Sequence, residues 1–266
     1  MASTKLYQAM YEHKVFANED LREVYGQGKR PPSLQSELQY NRRRGYIGRI
    51  RTGLYYILPF GEDPKTYVVD RFLVGHKVAP DAIIGYHSAL ELLGAAYTPF
   101  NTVYVLSKSR RAPFTFQGMT YRQVYPPTRL ITAKAEAFGV EKLERSGVKI
   151  AVTGKERTVV DCVDRLAYTG GLEELFRSVE LLPYLDLEKL AAYLDRLAKG
   201  VLYAEVGFLL DGFAKKFDFT DPYRRRFARH LPKVVYYFGG QQGQCRYVKA
   251  WNLMVPMDLA QKLEIH

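Results

Sequence analysis

Arg42, Arg43, Arg44, Arg49 and Arg51 fall within ten residues of one another. Five guanidiniums this close have one obvious use, which is to neutralise phosphates; a planar fork can also read a guanine edge in bidentate fashion. Other groups that could do chemistry are sparser. Asp161 and Asp164 stand three apart and imitate a carboxylate pair, but Cys162 and Val163 between them are apolar. The pair therefore flanks a core face and serves neighbouring arginines, Arg157 or Arg165. His87-Ser88 opens a helical segment without a nucleophile elbow around it. Val152-Thr-Gly-Lys-Glu-Arg157 lacks the glycine spacing and the Ser/Thr of a phosphate-binding loop, and Thr153 reads as a helix cap. The five histidines are scattered, none at ligand spacing from a Cys or carboxylate. Neither the Asp and Glu-x-Lys strands of a nuclease nor the Gly-Ser and Asp-x-Asp of a nucleotidyltransferase occurs. The expectation is no catalytic residue, no metal, no cofactor and no enzyme.

The elements that must position the arginines follow from Arg30 to Leu58. Pro31 and Pro32 suit a first helical turn, where their missing N–H groups would be unpaired anyway. Leu34 and Leu38 make a buried stripe. The opposite face carries Pro32, Ser36, Gln39, Tyr40 and Arg43, flanked by Ser33, Gln35, Arg42 and Arg44. Gly45 stops the helix. Tyr46–Ile50 and Leu54–Leu58 around Arg51-Thr52-Gly53 then read as a β-hairpin. Two earlier helices are expected: Thr4–His13, capped by Ser3 or Thr4, and one capped by Asn18 with Leu21, Val24 and Tyr25 on its apolar side. Helix, helix, helix, hairpin, with a short basic turn at Gln27-Gly28-Lys29-Arg30, is the pattern of a winged helix-turn-helix. The predicted DNA-binding residues are Ser33, Gln35, Ser36, Gln39, Tyr40, Arg42, Arg43, Arg44, Arg49 and Arg51.

With 266 residues, the chain can bury two cores, and 47% hydrophobic with 25% charged residues is ordinary for a folded protein. The net charge of +11 favours a polyanionic partner. Residues 1–60 hold ten Lys/Arg against five Asp/Glu and the rest 29 against 23, so charge density is nearly three times higher in the N-terminal quarter. No apolar run could span a bilayer, and the N-terminus has no apolar signal core; the expectation is a cytoplasmic protein with no membrane partner. Cys162 and Cys245 have no paired spacing and read as reduced.

Beyond Phe60-Gly61-Glu62-Asp63-Pro64, taken as a domain boundary, the spacing predicts a mixed α+β region. A helix is expected from about Thr66 to Gly75, a short buried segment near Ile83, and a helix over Tyr86–Gly94. Strands follow at Thr102–Leu106, Phe114–Phe116, Tyr121–Val124 and Val148–Val152. Helices are expected at Thr158–Ala167, Gly171–Leu182, Asp186–Ala198 and Leu202–Lys216. Tyr223–Arg229 reads as a solvated basic helix face or a second nucleic-acid contact. Strands return at Val234–Phe238 and Arg246–Val255. The fold class is thus α+β: a winged helix-turn-helix domain at residues 1–60 and a larger α+β domain at 61–266.

Three segments carry a family resemblance. Gly53-Leu-Tyr-Tyr-Ile57, Ile84-Gly-Tyr-His-Ser-Ala-Leu-Glu-Leu-Leu-Gly94 and Lys155-Glu-Arg-Thr-Val-Val-Asp161 resemble the wing strand, the His-x-Ala-Leu helix and the Glu-Arg-Thr-hydrophobic-hydrophobic-Asp signature of the AbiEi family of antitoxins. The resemblance spans roughly Thr4 to Asp211. It implies an autorepressor and antitoxin of a type IV toxin–antitoxin system. The N-terminal domain would bind double-stranded DNA at inverted repeats in its own promoter. The C-terminal antitoxin domain would oppose a cognate nucleotidyltransferase-type toxin functionally rather than as a stable complex. The alternatives are a protein-interaction module that binds the toxin directly and, behind it, a nucleic-acid-processing enzyme.

Overall fold

A computed structural model describes residues 4–25, 31–240 and 243–262 of the chain. It is a mixed α+β structure in two compact units interleaved along the sequence. The first takes in Met1–Ile84, Asn101–Tyr125 and Lys142–Val152; the second takes in Gly85–Phe100, Pro126–Glu141 and Thr153–His266. The Phe60–Pro64 segment lies inside the first unit.

The first unit begins with α1 (Thr4–His13), β1 (Val15–Ala17), α2 (Asn18–Tyr25), α3 (Pro31–Arg43), β2 (Ile47–Arg51) and β3 (Leu54–Ile57). Its sheet runs β1-β3-β2, with β3 antiparallel to both neighbours. Leu6, Met10, Phe16, Leu21, Leu34, Leu38, Ile47 and Ile57 close one core between the helices and this sheet. The start of α2 differs from expectation. The Asn18 side-chain oxygen is buried without a partner, and Asp20 instead reaches back to accept from Ala17 N at 2.7 Å. The expected basic turn Gln27–Arg30 and the Ser3 cap lie outside the described residues, as do the Thr4, Val24 and Tyr25 side chains.

The α3 terminus is a Schellman motif. Tyr46 N donates to Asn41 O, Gly45 N donates to Arg42 O, and Gly45 takes the left-handed φ of 75° that this closure needs. Below it, Gly48 admits the Tyr56 ring, which lies where a side chain would be; a Cβ there would sit 2.1 Å from the ring. A larger residue would lift β2 off β3.

The rest of the first unit is a six-stranded sheet with one short helix. Its members are α4 (Arg71–His76), β4 (Ile83–Ile84), β5 (Thr102–Leu106), β6 (Phe114–Phe116), β7 (Met119–Val124), β8 (Val140–Arg145) and β9 (Val148–Thr153), in the order β6-β7-β5-β4-β9-β8. Both outer strands arrive by two-residue turns with two positive φ angles, Gln117-Gly118 and Ser146-Gly147, the geometry whose twist matches that of the strands it joins. Residues 66–70 are not helical: Asp70 accepts from Phe72 N and Leu73 N and so starts α4 five residues later than the sequence suggested.

The second unit holds α5 (Tyr86–Leu92), α6 (Thr128–Thr132), α7 (Lys155–Asp164), a 3-10 turn at Leu166–Tyr168, α8 (Leu172–Leu181), α9 (Leu187–Leu197), α10 (Gly200–Gly212), α11 (Ala214–Phe217), α12 (Asp221–Ala228), β10 (Tyr236–Tyr237), β11 (Cys245–Val248), β12 (Leu253–Pro256) and α13 (Met257–Lys262). Helix α10 is buried on every side from Leu202 to Leu210, and all of these residues but Glu205 are uncharged, as suits a central helix. Gly207 lets the Trp251 ring rest on its backbone. The expected helix Leu202–Lys216 breaks at Phe213 into α10 and α11. Helix α7 begins at Lys155 rather than Thr158, and Thr153 does not cap it: Gly154 holds that place, while the Thr153 and Thr158 hydroxyls bond each other at 2.7 Å. Among the described residues, no helix is long and apolar enough to cross a membrane.

Candidate nucleic-acid interface

Helix α3 is divided by its periodicity into two unlike faces. Leu34 and Leu38 are buried, and so is Asn41, whose amide donates to Glu37 O at 2.8 Å. Gln35, Ser36, Gln39, Tyr40, Arg42, Arg43 and Arg44 are all exposed. The Ser33 backbone is helical, but its side chain lies outside the described residues. Arg44 places its guanidinium 5.6 Å from the centroid of the Tyr40 ring, which orients both without using the fork. Among the described residues, no carboxylate pairs with Arg42, Arg43 or Arg44. A face built of amides, a hydroxyl, a phenol and unpaired guanidiniums, with no aliphatic bulk, suits a polar, anionic partner.

The hairpin treats its two arginines differently. Ile47 belongs to the core beneath α3, so Arg49, two residues on, stands on the helix side of the sheet, opposite Tyr55, and is exposed. The register then shifts between Arg49 and Arg51, leaving Ile50 as the extra residue of a bulge. The bulge resets the alternation. Arg51 pairs with Leu54 and points to the other side of the sheet, where its Nη2 donates to Val78 O at 2.8 Å and its guanidinium lies 4.5 Å from the centroid of the Phe114 ring. The structure therefore gathers Gln35, Ser36, Gln39, Tyr40, Arg42, Arg43, Arg44 and Arg49 around α3 and the near side of the hairpin. Arg51 is set apart, anchored to the six-stranded sheet.

The groups that imitate catalytic sites are consumed internally. Asp161 accepts from Arg157 Nε at 3.3 Å and from the Tyr193 hydroxyl at 2.6 Å, with all three side chains buried. Burial pushes the Asp161 carboxyl above its ordinary value, against the pull of Arg157. Arg157 also donates to the carbonyls of Glu136 and Phe138, so this cluster ties α7 to α9 and to the chain before β8. Asp164 takes Lys199 at 2.7 Å. His87 has both ring nitrogens on carboxylates, Glu91 at 3.2 Å and Glu174 at 3.0 Å, and its ring stacks on Phe100 at 3.6 Å, leaving no nitrogen to activate Ser88. Cys162 is fully buried, and desolvation pushes its thiol up to about 12, the state of an inert core residue. Among the described residues, no group of three or more His, Cys, Asp or Glu could hold a metal ion.

Compared with models of known protein families and with curated protein sequences, the chain matches none.

Proposed function

We propose that residues 4–57 form a winged helix-turn-helix and that the protein is a DNA-binding repressor. In this reading α3 enters the major groove and the β2–β3 hairpin is the wing. The observation that carries it is the exposed face of α3 and of Arg44 just beyond it, where the described residues present seven polar or aromatic side chains and no aliphatic one, with Arg49 of the hairpin on the same side of the sheet. Gln35, Ser36, Gln39 and Arg43, near the middle of that face, are suited to base edges. Arg42, Arg44 and Arg49, towards its end and on the wing, are suited to phosphates. Arg51 has no place in this contact set.

The test is fluorescence anisotropy on the protein's own upstream DNA and on a scrambled duplex, across a salt series. Binding should be tighter on the upstream DNA, steeply salt-dependent, and weakened by Arg43→Ala. Equal, weak binding to both duplexes sinks the reading.

The antitoxin half of the function rests on the resemblance to the AbiEi family. The two segments that carry it outside the hairpin form α5 and α7, which pack against each other in the second unit. The rival reading, direct capture of a protein partner, is favoured by the exposed Val234, Val235, Tyr236, Tyr237 and Tyr247 around the small C-terminal sheet, since exposed tyrosines of this kind are common at interfaces. Co-purification with a toxin, lost on Tyr236→Ser and Tyr237→Ser but not on Arg43→Ala, would favour the rival.

A further inference from the structure

Beside the hairpin turn runs the connection between β5 and β6, Ser107-Lys-Ser-Arg-Arg-Ala-Pro113. It is pinned at its base: Asp81 accepts from the Ser107 hydroxyl at 2.6 Å and from Lys108 N at 2.8 Å. Arg110 is held flat by Tyr125, 4.5 Å from the ring centroid. Arg111 is exposed and lies near enough to Arg51 that, after burial itself, its charge is what pulls the Arg51 guanidinium below its ordinary value. Both residues line a cleft of about 440 Å³ between the hairpin turn at Thr52-Gly53 and residues His76–Pro80. Three cations line it: Arg51, Lys77 and Arg111. Two carboxylates also line it, but Asp20 is already engaged by Lys77 at 2.7 Å, and Glu19 is exposed at the rim. Among the described residues, no carboxylate pairs with Arg51 or Arg111, and like charges held together by the fold in this way are relieved by an anion from outside.

We propose that the loop Ser107–Pro113 is a second DNA-backbone contact, in which Arg111 and Arg51 take one phosphate between them on the far side of the wing from α3. The inference rests on the DNA-binding reading and extends its footprint from the helix-and-wing module onto the six-stranded sheet. Arg51, set apart from α3 by the bulge, then has a role, and the duplex is held on both sides of the wing.

The experiment is the same salt series on wild type, Arg111→Ala, Arg111→Lys and Arg43→Ala. One lost phosphate contact lowers the salt slope by about 0.9 and weakens binding about eightfold at ~0.1 M salt. Arg111→Ala should show both, equally on the upstream and scrambled duplexes, while Arg111→Lys keeps the slope. Arg43→Ala should cost more on the upstream duplex. An Arg111→Ala slope equal to wild type, alongside a weakened Arg43→Ala, overturns the second contact and leaves the α3 reading standing. A wild type without salt-dependent binding overturns both.

Discussion

The chain contains the tripeptide Arg-Arg-Arg twice, at 42–44 and at 224–226. By composition the two are the same feature. In the fold they are opposites. Arg224 donates to Asp211 at 2.6 Å, and Arg226 reaches Glu188 at 2.9 Å and Asp195 at 3.1 Å, so three ion pairs tie α12 to α9 and α10; a fourth, Arg224 to Asp221 at 3.0 Å, lies within α12. The hydrogen bond to Asp211 holds the Arg224 guanidinium above its ordinary value. The first triplet ends a helix, and among the described residues no acid pairs with it. A basic run marks an interface only when the rest of the chain supplies no carboxylates to meet it.

The sharpest way to break this contrast is to remove each triplet in turn. Replacing Arg42, Arg43 and Arg44 together with Ala should weaken DNA binding by roughly two to three orders of magnitude at ~0.1 M salt, on the scale of three released counterions, with the melting temperature unchanged. Replacing Arg224, Arg225 and Arg226 should leave anisotropy within about twofold of wild type but lower the melting temperature by roughly 5 °C, as expected for the loss of a few kcal/mol in a chain of this size. Equal effects of both on DNA binding would erase the distinction.

Two carboxylates on α10 sharpen it further. Asp211 meets a cation; Glu205, buried, has among the described residues only the Gly239 N–H at 2.9 Å, and burial pushes its carboxyl up from an ordinary 4.5 to about 7. Between those values the unfolded chain releases the proton while the folded chain keeps it. Stability is thus full at the acid end and falls as pH rises through the window, by about 3 kcal/mol in total at 1.36 kcal/mol per unit. Urea unfolding across that range should show the decline, and Glu205→Gln should flatten it. Asp211→Ala removes the acceptor of both Arg224 and the Trp251 indole N–H at 2.6 Å, and should cost about 2 kcal/mol at any pH near neutrality. Arg225→Ala alone, exposed and outside the network, should shift unfolding by less than about 0.5 kcal/mol.

What was legible in the sequence was what local pattern decides. The Leu34/Leu38 stripe, the Gly45 stop and the Gly53 turn placed α3 and the hairpin within a residue or two, because each depends on neighbours along the chain. Where long-range pairing decides, the reading failed. Val140-Glu-Lys-Leu-Glu-Arg145 is made mostly of helix formers and has no strand-like alternation, yet it is a strand, since β9 offers it a partner across a tight turn. The short helix α6, five residues long, is likewise too brief to leave a periodic pattern. The bulge at Ile50 has no sequence mark, so Arg49 and Arg51 looked equivalent although they point to opposite sides of the sheet. Arg110 and Arg111 carry no signal in the sequence, because a short basic loop gains meaning only once Arg51 lies beside it. Thr153 has the right chemistry for a cap, but Thr158 takes its hydroxyl first.

The outer strands of the six-stranded sheet bear on how the protein survives at high concentration. An open sheet edge is a template on which another chain can lay a strand, the first step towards aggregation. On one edge β6 is only three residues long; on the other, β8 carries Glu141, Lys142, Glu144 and Arg145, with the first three exposed. A strand arriving at β8 would have to strip water from alternating charges, and one arriving at β6 would find too few amides to hold it. The charges that deny β8 a strand-like sequence pattern are thus what keeps its edge from recruiting further strands.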